Sequence, residues 1–403
     1  MISIISANIY AETINASQHP ISDDLALDEN FSLLNDRGVA YAMGHDVPHN
    51  DAVAVKSFRK AAEHGLPVAQ RNLGIMYAYG KGIQKSYSEA AKYFRKASEQ
   101  GDIIAQYNLG VMCVTGKGVS KNESEAVEWF RKAAQQGLPM AQRNLGLMYG
   151  AGKGIKQSYT EAFMWFRKAA HQGDPFAQLN LAAMYVDGKG VQQNDAKAFE
   201  WFRKAAEQGE KMAQLYLGFM YAEGKGVQRN DIEATQWIDK AAQQGLALAQ
   251  FNLGARYAAG LGIKQNDAEA VNWFSKAAEQ GNSLAQRSFA IMLSTGRGIQ
   301  QNDIDAVKWF NKAAEQGDAI AQYNLGVKYV TGKGVVQDDS KAVQYFRMAA
   351  EQGLPEAQFA LAAMYHDGVG VPKDDAQAMK WLRKSAQQGN ANAKMRLNDL
   401  EQG

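Results

Sequence analysis

Apolar residues recur along the chain with helical spacing, in short segments that repeat. In the segment DAIAQYNLGVKYVTG, residues 318–332, Ala321, Leu325 and Tyr329 follow one another at intervals of four. Such positions share one side of an α-helix, so the pattern predicts an amphipathic helix, termed helix A. Asp or Asn begins helix A in several copies, Pro stands in its first turn in others, and Gly332 and its counterparts end it.

A second helix, termed helix B, follows each helix A after a short glycine-containing loop such as GKGVVQD. Most copies of helix B open with a capping box, a short polar residue with an acid three positions later, as in Ser86 and Glu89. Ala126 and Phe130 lie on its inner stripe, and Gly137 ends it. Each unit is therefore predicted to be a helix-turn-helix.

The helix pair recurs with a period of 36 residues, without insertion or deletion. An alanine in helix A marks the register, at Ala69, Ala105, Ala141, Ala177, Ala213, Ala249, Ala285, Ala321, Ala357 and Ala393. Ten A–B units, the first degenerate, span residues 31–389, and a more polar helix A at 390–403 is typical of a terminal cap. Residues 1–30 match no unit and are expected to form a short helix or to stay flexible.

Large and small residues occupy fixed places in this unit. All seven tryptophans stand at one position of helix B, and glycine recurs in the middle of helix A, where it costs about 1 kcal/mol relative to alanine. We interpret the tryptophan position as a packing slot between neighbouring units, and the glycines as sites of close helix approach. Because a lone helix pair cannot bury these faces, the fold class is predicted to be all-α, an α/α superhelical solenoid of 36-residue helix-turn-helix repeats.

The unit A-x-x-x-L-G-x-M-Y-x-x-G-x-G-V … A-x-x-W-F-R-K-A-A-E-Q-G resembles the Sel1-like repeat, a longer-period relative of the tetratricopeptide repeat, over residues 31–403. The resemblance implies a superhelix that binds proteins or peptides as a non-catalytic adaptor. Bacterial members include signalling scaffolds, envelope-assembly factors and host-interaction factors. One secreted branch carries paired cysteines in each repeat; this chain lacks them, so that branch's properties are not transferred.

Composition limits the classes of partner. Lys and Arg number 44 against 42 Asp and Glu, which gives no bulk attraction to nucleic acid or to anionic membranes. No stretch approaches the roughly 20 apolar residues of a membrane span. The single cysteine, Cys113, cannot form an intrachain disulfide, and the first basic residue is Arg37, so no secretory signal is recognised. We expect a cytoplasmic monomer, with export by a non-standard route left open.

Several residues that carry chemistry elsewhere have structural interpretations here. The G-x-G loops follow helices rather than strands, which favours turns over phosphate loops. Cys113 occupies a slot that holds tyrosine in most units, and the pair His45 and His49 has no third ligand in view. The Arg-Lys pairs of helix B, such as Arg131 and Lys132, are interpreted as a solvated face with i,i+4 ion pairs rather than as a phosphate-binding row. No enzyme activity, metal or cofactor is predicted.

The binding surface is predicted on helix A, which lines the concave face in solenoids of this family. One stripe of helix A hardly varies and is assigned to the core. A second stripe varies between units, which indicates that the packing common to all units does not constrain it. Its candidate groove residues are Arg71, Tyr107, Arg143, Leu179, Leu215, Phe219, Phe251, Arg287, Tyr323 and Phe359. The arginines would bind acidic groups of a partner, and the aromatic residues would pack on apolar side chains. The alternative is that this stripe packs against the helix B of an adjacent repeat.

A row of asparagines also recurs on helix A, for example Asn72 and Asn324. It could grip a peptide backbone, but its uniformity favours a structural hydrogen bond to a neighbouring loop. The predicted function is a non-catalytic scaffold or adaptor that binds a protein or peptide partner in the groove. The alternative is an exported bacterial envelope or host-interaction factor that uses the same surface, and cell fractionation would separate the two.

Overall fold

The computed structural model describes residues 30–402, which form 21 α-helices and, over that range, no strand. The segment 1–30 lies outside the described residues apart from Asn30. Odd-numbered helices are A helices and even-numbered helices are B helices. Their bounds are α1 Phe31–Met43, α2 Asp51–Glu63, α3 Pro67–Tyr79, α4 Tyr87–Glu99, α5 Ile103–Thr115, α6 Glu123–Gln135, α7 Pro139–Ala151, α8 Tyr159–His171, α9 Pro175–Asp187, α10 Asp195–Glu207, α11 Lys211–Glu223, α12 Asp231–Gln243, α13 Ala247–Ala259, α14 Asp267–Glu279, α15 Ser283–Thr295, α16 Asp303–Glu315, α17 Ala319–Thr331, α18 Asp339–Glu351, α19 Pro355–Asp367, α20 Asp375–Gln387 and α21 Ala391–Gln402.

The helices belong to two compact units. The first unit ends at Glu210 and contains α1 to α10, and the second begins at Lys211 and contains α11 to α21. Within each unit, every A helix packs against the B helix that follows it, and each B helix packs against the next A helix. The all-α repeat fold predicted from the sequence is confirmed.

The capping residues set the helix ends as expected. At the start of α6, Oδ1 of Asn122 accepts a hydrogen bond of 3.1 Å from the backbone N–H of Glu125. At the end of α5, Gly116 adopts the left-handed conformation with φ of 72°. In the loop that follows, a Cβ on Gly118 would collide with the backbone carbonyl of Tyr87. The glycine therefore lets the loop lie against the start of the preceding B helix, which supports a turn rather than a phosphate loop.

The glycines in the middle of the A helices make room for an aromatic ring. A Cβ built on Gly254 would lie 2.8 Å from Cδ1 of Phe274 on the following B helix, and the same relation recurs between Gly110 and Phe130. The close approach predicted at these glycines is therefore present. The ring that uses the space is the phenylalanine of helix B, not the tryptophan beside it.

A ladder of glutamine pairs runs through both units. Nine of the marker alanines precede a buried glutamine, whose side chain accepts a hydrogen bond from a glutamine at the end of the following B helix. Nε2 of Gln250 donates to the carbonyl of Ala242, and Oε1 of Gln250 accepts from Nε2 of Gln280. Nine such glutamine pairs occur among the described residues, with N–O distances between 2.7 and 2.9 Å. The recurring Ala-Gln and Gln-Gly dipeptides are thus the two ends of one hydrogen-bonded link.

The tryptophans are buried or half-buried, and each carries a lysine ammonium above its ring. Nζ of Lys132 lies 4.1 Å from the ring centroid of Trp129, and Nζ of Lys240 lies 3.7 Å from that of Trp237. All seven tryptophans have this partner three residues later. The predicted i,i+4 pairing is present for Arg203 with Glu207 at 3.7 Å, whereas these lysines contact the tryptophan rings of their own helices.

Two A helices of the second unit carry a buried cation where most A helices have a methionine. Arg256 donates from Nη2 to Oδ1 of Asp231 at 2.8 Å and from Nε to Oγ1 of Thr235 at 2.6 Å. Lys328 donates from Nζ to Asp303 and to Ser294. The hydrogen bond from Arg256 lowers the pKa of Asp231, and the bond from Lys328 lowers that of Asp303. Each buried cation thus has an aspartate and a hydroxyl as hydrogen-bond partners.

Candidate interaction face on the A helices

The second, fifth, sixth and ninth residues of the A helices form a surface that we call the A face. The third and seventh positions, alanine and leucine in most copies, are fully buried. Because successive residues of an α-helix turn by about 100°, the A-face positions lie on the side away from these two. The A face is therefore the side of helix A that points away from these two core positions, although several of its residues, such as Asn72 and Ile75, are buried by neighbouring helices.

Exposed apolar side chains recur at the second position of the A face. Phe176 is 50% exposed in the first unit, and Leu248, Leu284 and Ile320 are 39–40% exposed in the second. This row was missed in the sequence, although a signal was present: the second position is apolar in eight consecutive A helices, from Val68 to Ile320, and its identity varies. Tyr216 and Ile291 add exposed apolar surface at the sixth and ninth positions.

Three of the ten predicted groove residues are buried. Tyr107 is 3% exposed, and its ring centroid lies 5.9 Å from that of Phe130. Leu215 is fully buried in a cluster with Ile238, and Arg71 is buried beside its ion-pair partner. Packing against helix B, the alternative interpretation of this stripe, therefore describes Tyr107 and Leu215 in this structure.

The three predicted arginines each contact an aspartate of this chain. Nη1 of Arg71 lies 3.1 Å from Oδ2 of Asp102, and Nη1 of Arg287 lies 2.9 Å from Oδ2 of Asp318. Arg143 and Asp174 form the same pair at 2.8 Å. Each aspartate is also the N-cap of the next A helix. The carboxylate expected from a partner is thus supplied by the chain itself, and a contact of these arginines with a partner stays a prediction.

The other predicted residues remain partly accessible. Leu179, Phe219, Phe251, Tyr323 and Phe359 are half-buried at the fifth and ninth positions, as is Arg143. The ring of Phe251 tilts against Phe274 at 5.8 Å, and that of Tyr323 against Phe346 at 5.7 Å. These side chains form the base of the A face, and the second-position row stands above them. Their role in binding stays a prediction.

The sequence suggested that the asparagine row bonds to neighbouring loops, but the structure shows other partners. Nδ2 of Asn252 donates to the carbonyl of Leu248 four residues earlier, and Asn180 and Asn324 do the same. In the first unit, Nδ2 of Asn72 donates instead to Oδ1 of Asn35 on the previous A helix. Nδ2 of Asn144 likewise donates to the hydroxyl of Tyr107 on the previous A helix, so the bonded asparagines use partners on A helices.

Cys113 has neither the exposure nor the pKa of a catalytic nucleophile. Cys113 is fully buried, and burial raises the pKa of its thiol to about 11. Among residues 30–402, no group of three or more His, Cys, Asp or Glu side chains could hold a metal ion. None of the described helices combines the length and apolar character needed to cross a bilayer.

Comparison with known proteins agrees with this architecture. The family model described as Sel1 repeat matches ten consecutive segments, residues 34–66, 67–102, 103–138, 139–174, 175–210, 211–246, 247–282, 283–318, 319–354 and 355–390. Among solved structures, the chain is 38% identical to a protective antigen present in uropathogenic Escherichia coli strains displaying an SLR fold, with a TM-score of 0.86 and coverage of 93% of this chain and 80% of that one. It is 37% identical to a Sel1 repeat protein from Oxalobacter formigenes, with a TM-score of 0.58 and coverage of 77% and 89%. No curated protein matches the chain.

Sel1-repeat proteins are generally protein–protein interaction scaffolds without catalytic activity. The ten matched segments cover the chain from residue 34 to residue 390 without a gap. The chain therefore belongs to the Sel1 repeat family.

Proposed function

We propose that this protein is a non-catalytic scaffold that binds an apolar segment of a partner protein on the A face. The observation that carries the proposal is the row of exposed aliphatic side chains at one position of three successive A helices, Leu248, Leu284 and Ile320. Solvent-exposed apolar side chains that align on one face mark interaction surfaces more often than isolated ones do. The partner segment would be an extended peptide or a helix, since both use regularly spaced apolar anchors.

The arrangement below this row supports the same proposal. Half-buried Phe251 and Tyr323 give the base of the A face an aromatic character, and aromatic residues are frequent in binding hot spots. The Arg287–Asp318 pair holds adjacent A helices together without leaving a free charge in the row. A rigid apolar surface of this kind would lose little entropy on binding.

Site-specific photo-crosslinking tests this proposal. A benzoylphenylalanine at position 248, 284 or 320 is expected to link covalently to one shared partner species in the native cell. The matched control is position 304, because Ile304 is an isoleucine that is 62% exposed on a B helix, α16. Equal crosslinking from position 304, or different species from the three A-face positions, would refute the A face as the binding surface.

A second candidate function has one specific observation in its favour. The solved structure with 38% identity is described as a protective antigen of uropathogenic strains. By analogy, this chain would be an exported factor that meets a host partner through the same face, in place of a cytoplasmic adaptor. Fractionation of the native cell, with protease accessibility of the intact cell, distinguishes the two: digestion in intact cells supports export, and protection supports the cytoplasmic scaffold.

A further inference from the structure

A cavity of about 350 Å³ lies at the end of the second unit, between α19, α20 and α21. Its apolar wall includes Phe359, Ala363, Met379 and Leu382, and its polar wall includes Asp367 and Arg396. The volume falls within the range of roughly 300–1,000 Å³ that small ligands and anchor side chains occupy. Phe359 and Ala363 belong to the A face, so the cavity continues the proposed binding surface.

At the cavity this repeat differs from most others at one position of helix B. Helix B carries phenylalanine beneath the A helix in eight of its ten copies, and Leu382 replaces it in α20. The equivalent space in the first unit measures about 20 Å³. There the residues Ile75, Tyr79, Tyr87 and Phe94 stand where the terminal repeat has Ala363, Asp367, Asp375 and Leu382. Ala183, Asp187 and Asp195 stand at three of these positions in another repeat, together with Phe202, so Leu382 is the residue that sets the terminal repeat apart.

The charged residues at the cavity are complementary to a ligand that carries both a positive and a negative charge. Asp375 is already engaged, since Nδ1 of His366 lies 3.0 Å and Nζ of Lys373 lies 3.7 Å from its carboxylate oxygens. Among the described residues, neither Asp367 nor Arg396 has an ion-pair partner. One carboxylate and one guanidinium, both exposed to solvent and without an ion pair to any described residue, therefore line the same apolar cavity.

We propose that this cavity binds a bulky apolar side chain, preferably tryptophan, of a partner peptide in which one basic and one acidic residue flank that side chain. The apolar wall would bury the ring, Asp367 would bind the base and Arg396 the acid. This inference rests on the proposed function, because the cavity would be one anchor point of the same A face. The charge pair favours a peptide segment over a purely apolar ligand such as an acyl chain.

The test uses methyl-NMR of protein labelled with ¹³C at the methionine methyl groups, with the Met379 resonance assigned through Met379→Leu. The probe is the peptide acetyl-Gly-Lys-Trp-Glu-Gly-amide. It is expected to shift the Met379 resonance in a saturable manner, whereas the same peptide with alanine for tryptophan leaves it unmoved. A peptide with glutamine for lysine and glutamate is expected to bind about threefold to fivefold more weakly, as for exposed ion pairs.

Filling the cavity provides the decisive variants. Leu382→Phe restores the residue that most other repeats carry, and Ala363→Ile copies Ile75, so either variant should fold. Each should weaken binding of the tryptophan peptide by about tenfold or more. Phenylalanine is compatible with the neighbouring Ala362, since Ala182 and Phe202 coexist in the first unit. The matched control is Ile238→Phe, the same restoration in another repeat, which should leave binding unchanged.

Any one of three outcomes would overturn the inference. The first is a Met379 resonance that does not respond to the tryptophan peptide. The second is normal binding of the peptide by both filling variants, and the third is binding of free indole or a fatty acid as tight as that of the peptide. Crosslinking at Leu284 is independent of this site. If the peptide does not bind the cavity but position 284 still crosslinks to a partner, the proposed scaffold function is unaffected. If the peptide binds but position 284 does not crosslink, the cavity is a local ligand site only.

Discussion

Nε2 of Gln280 donates a hydrogen bond of 2.7 Å to Oε1 of Gln250, thirty residues earlier, and this bond links the end of helix α14 to the buried face of helix α13. The same pairing recurs in every complete repeat after the degenerate first one. It explains why an exposed residue at the end of helix B is glutamine in these nine repeats, whereas the first repeat has His64 there. The ladder ends where Lys394 replaces glutamine in α21.

Removal of one glutamine pair should lower the free energy of unfolding of the second unit measurably. Gln250→Leu deletes two hydrogen bonds at a buried site, one to the Ala242 carbonyl and one from Gln280. We expect a loss of about 1–2 kcal/mol in the free energy of unfolding, measured by urea titration followed by circular dichroism. The control is Gln300→Leu at an exposed loop position, where a change below about 0.5 kcal/mol is expected. Equal effects of the two variants would show that the ladder is not stabilising.

Exchange of an ion pair for an apolar pair should reveal coupling between adjacent A helices. Arg287→Leu and Asp318→Leu each leave one charge without its partner, and the second also removes an N-cap. The double variant copies the pair that Leu215 and Leu246 make in another repeat. We expect a coupling free energy between about 0.5 and 3 kcal/mol in a double-mutant cycle by urea unfolding. Strictly additive losses would contradict a direct interaction.

The buried Lys328–Asp303 pair should make the second unit sensitive to acid. The pKa of Asp303 is lowered in the folded state, so its contribution is present above the ordinary aspartate pKa of about 3.9 and is lost as the pH falls through the folded value. Lys328→Met restores the common residue, as at Met292. We expect it to cost about 1 kcal/mol at pH 7 and progressively less towards pH 3.

Urea midpoints of the wild type and this variant across that pH range provide the measurement. Lys308→Met serves as control, because Lys308 and Asp305 form an exposed pair. A difference between wild type and Lys328→Met that stays constant down to pH 3 would rule out titration of Asp303 as its source.

The Cys113 thiol should be unreactive in the folded protein. It is fully buried with a pKa raised to about 11, so at pH 8 it is both protonated and shielded. A colourimetric disulfide reagent is expected to label it only at the rate at which the protein unfolds, and rapidly in urea. The raised pKa favours the folded state below the ordinary thiol pKa of about 8.5, and this contribution is lost as the pH rises through about 11. Fast stoichiometric labelling of native protein at pH 8 would contradict this prediction.

Local patterns in the sequence were sufficient for the helices and their ends. Four-residue spacing, capping residues such as Asn122 and terminal glycines such as Gly116 act over a few residues, so they can be interpreted without knowing what packs together. The Gly254–Phe274 contact could be predicted only in part. A glycine that destabilises the middle of a helix indicated a close approach, but it did not identify the ring that approaches. The partner of a small residue depends on tertiary structure.

The binding stripe could not be fixed from periodicity alone. Fifth and second positions of helix A both vary, and only the stacking of adjacent repeats buries Tyr107 while it leaves Leu284 accessible. The arginine pairs had a usable signal that was overlooked: Arg71 and Arg143 are each followed by an aspartate 31 residues later. The glutamine link required knowledge of which helix ends meet in space.

The pairing of Arg256 with Thr235 and of Lys328 with Ser294 has a consequence for how nearly identical modules find their places. Interchangeable methionine contacts would let a nascent helix dock one module too early at little cost. An aspartate stands at the position of Asp231 in most modules, but a hydroxyl at the position of Thr235 or Ser294 occurs in no other module. A cation docked in a wrong module would therefore lose its hydroxyl partner, which penalises a skipped module.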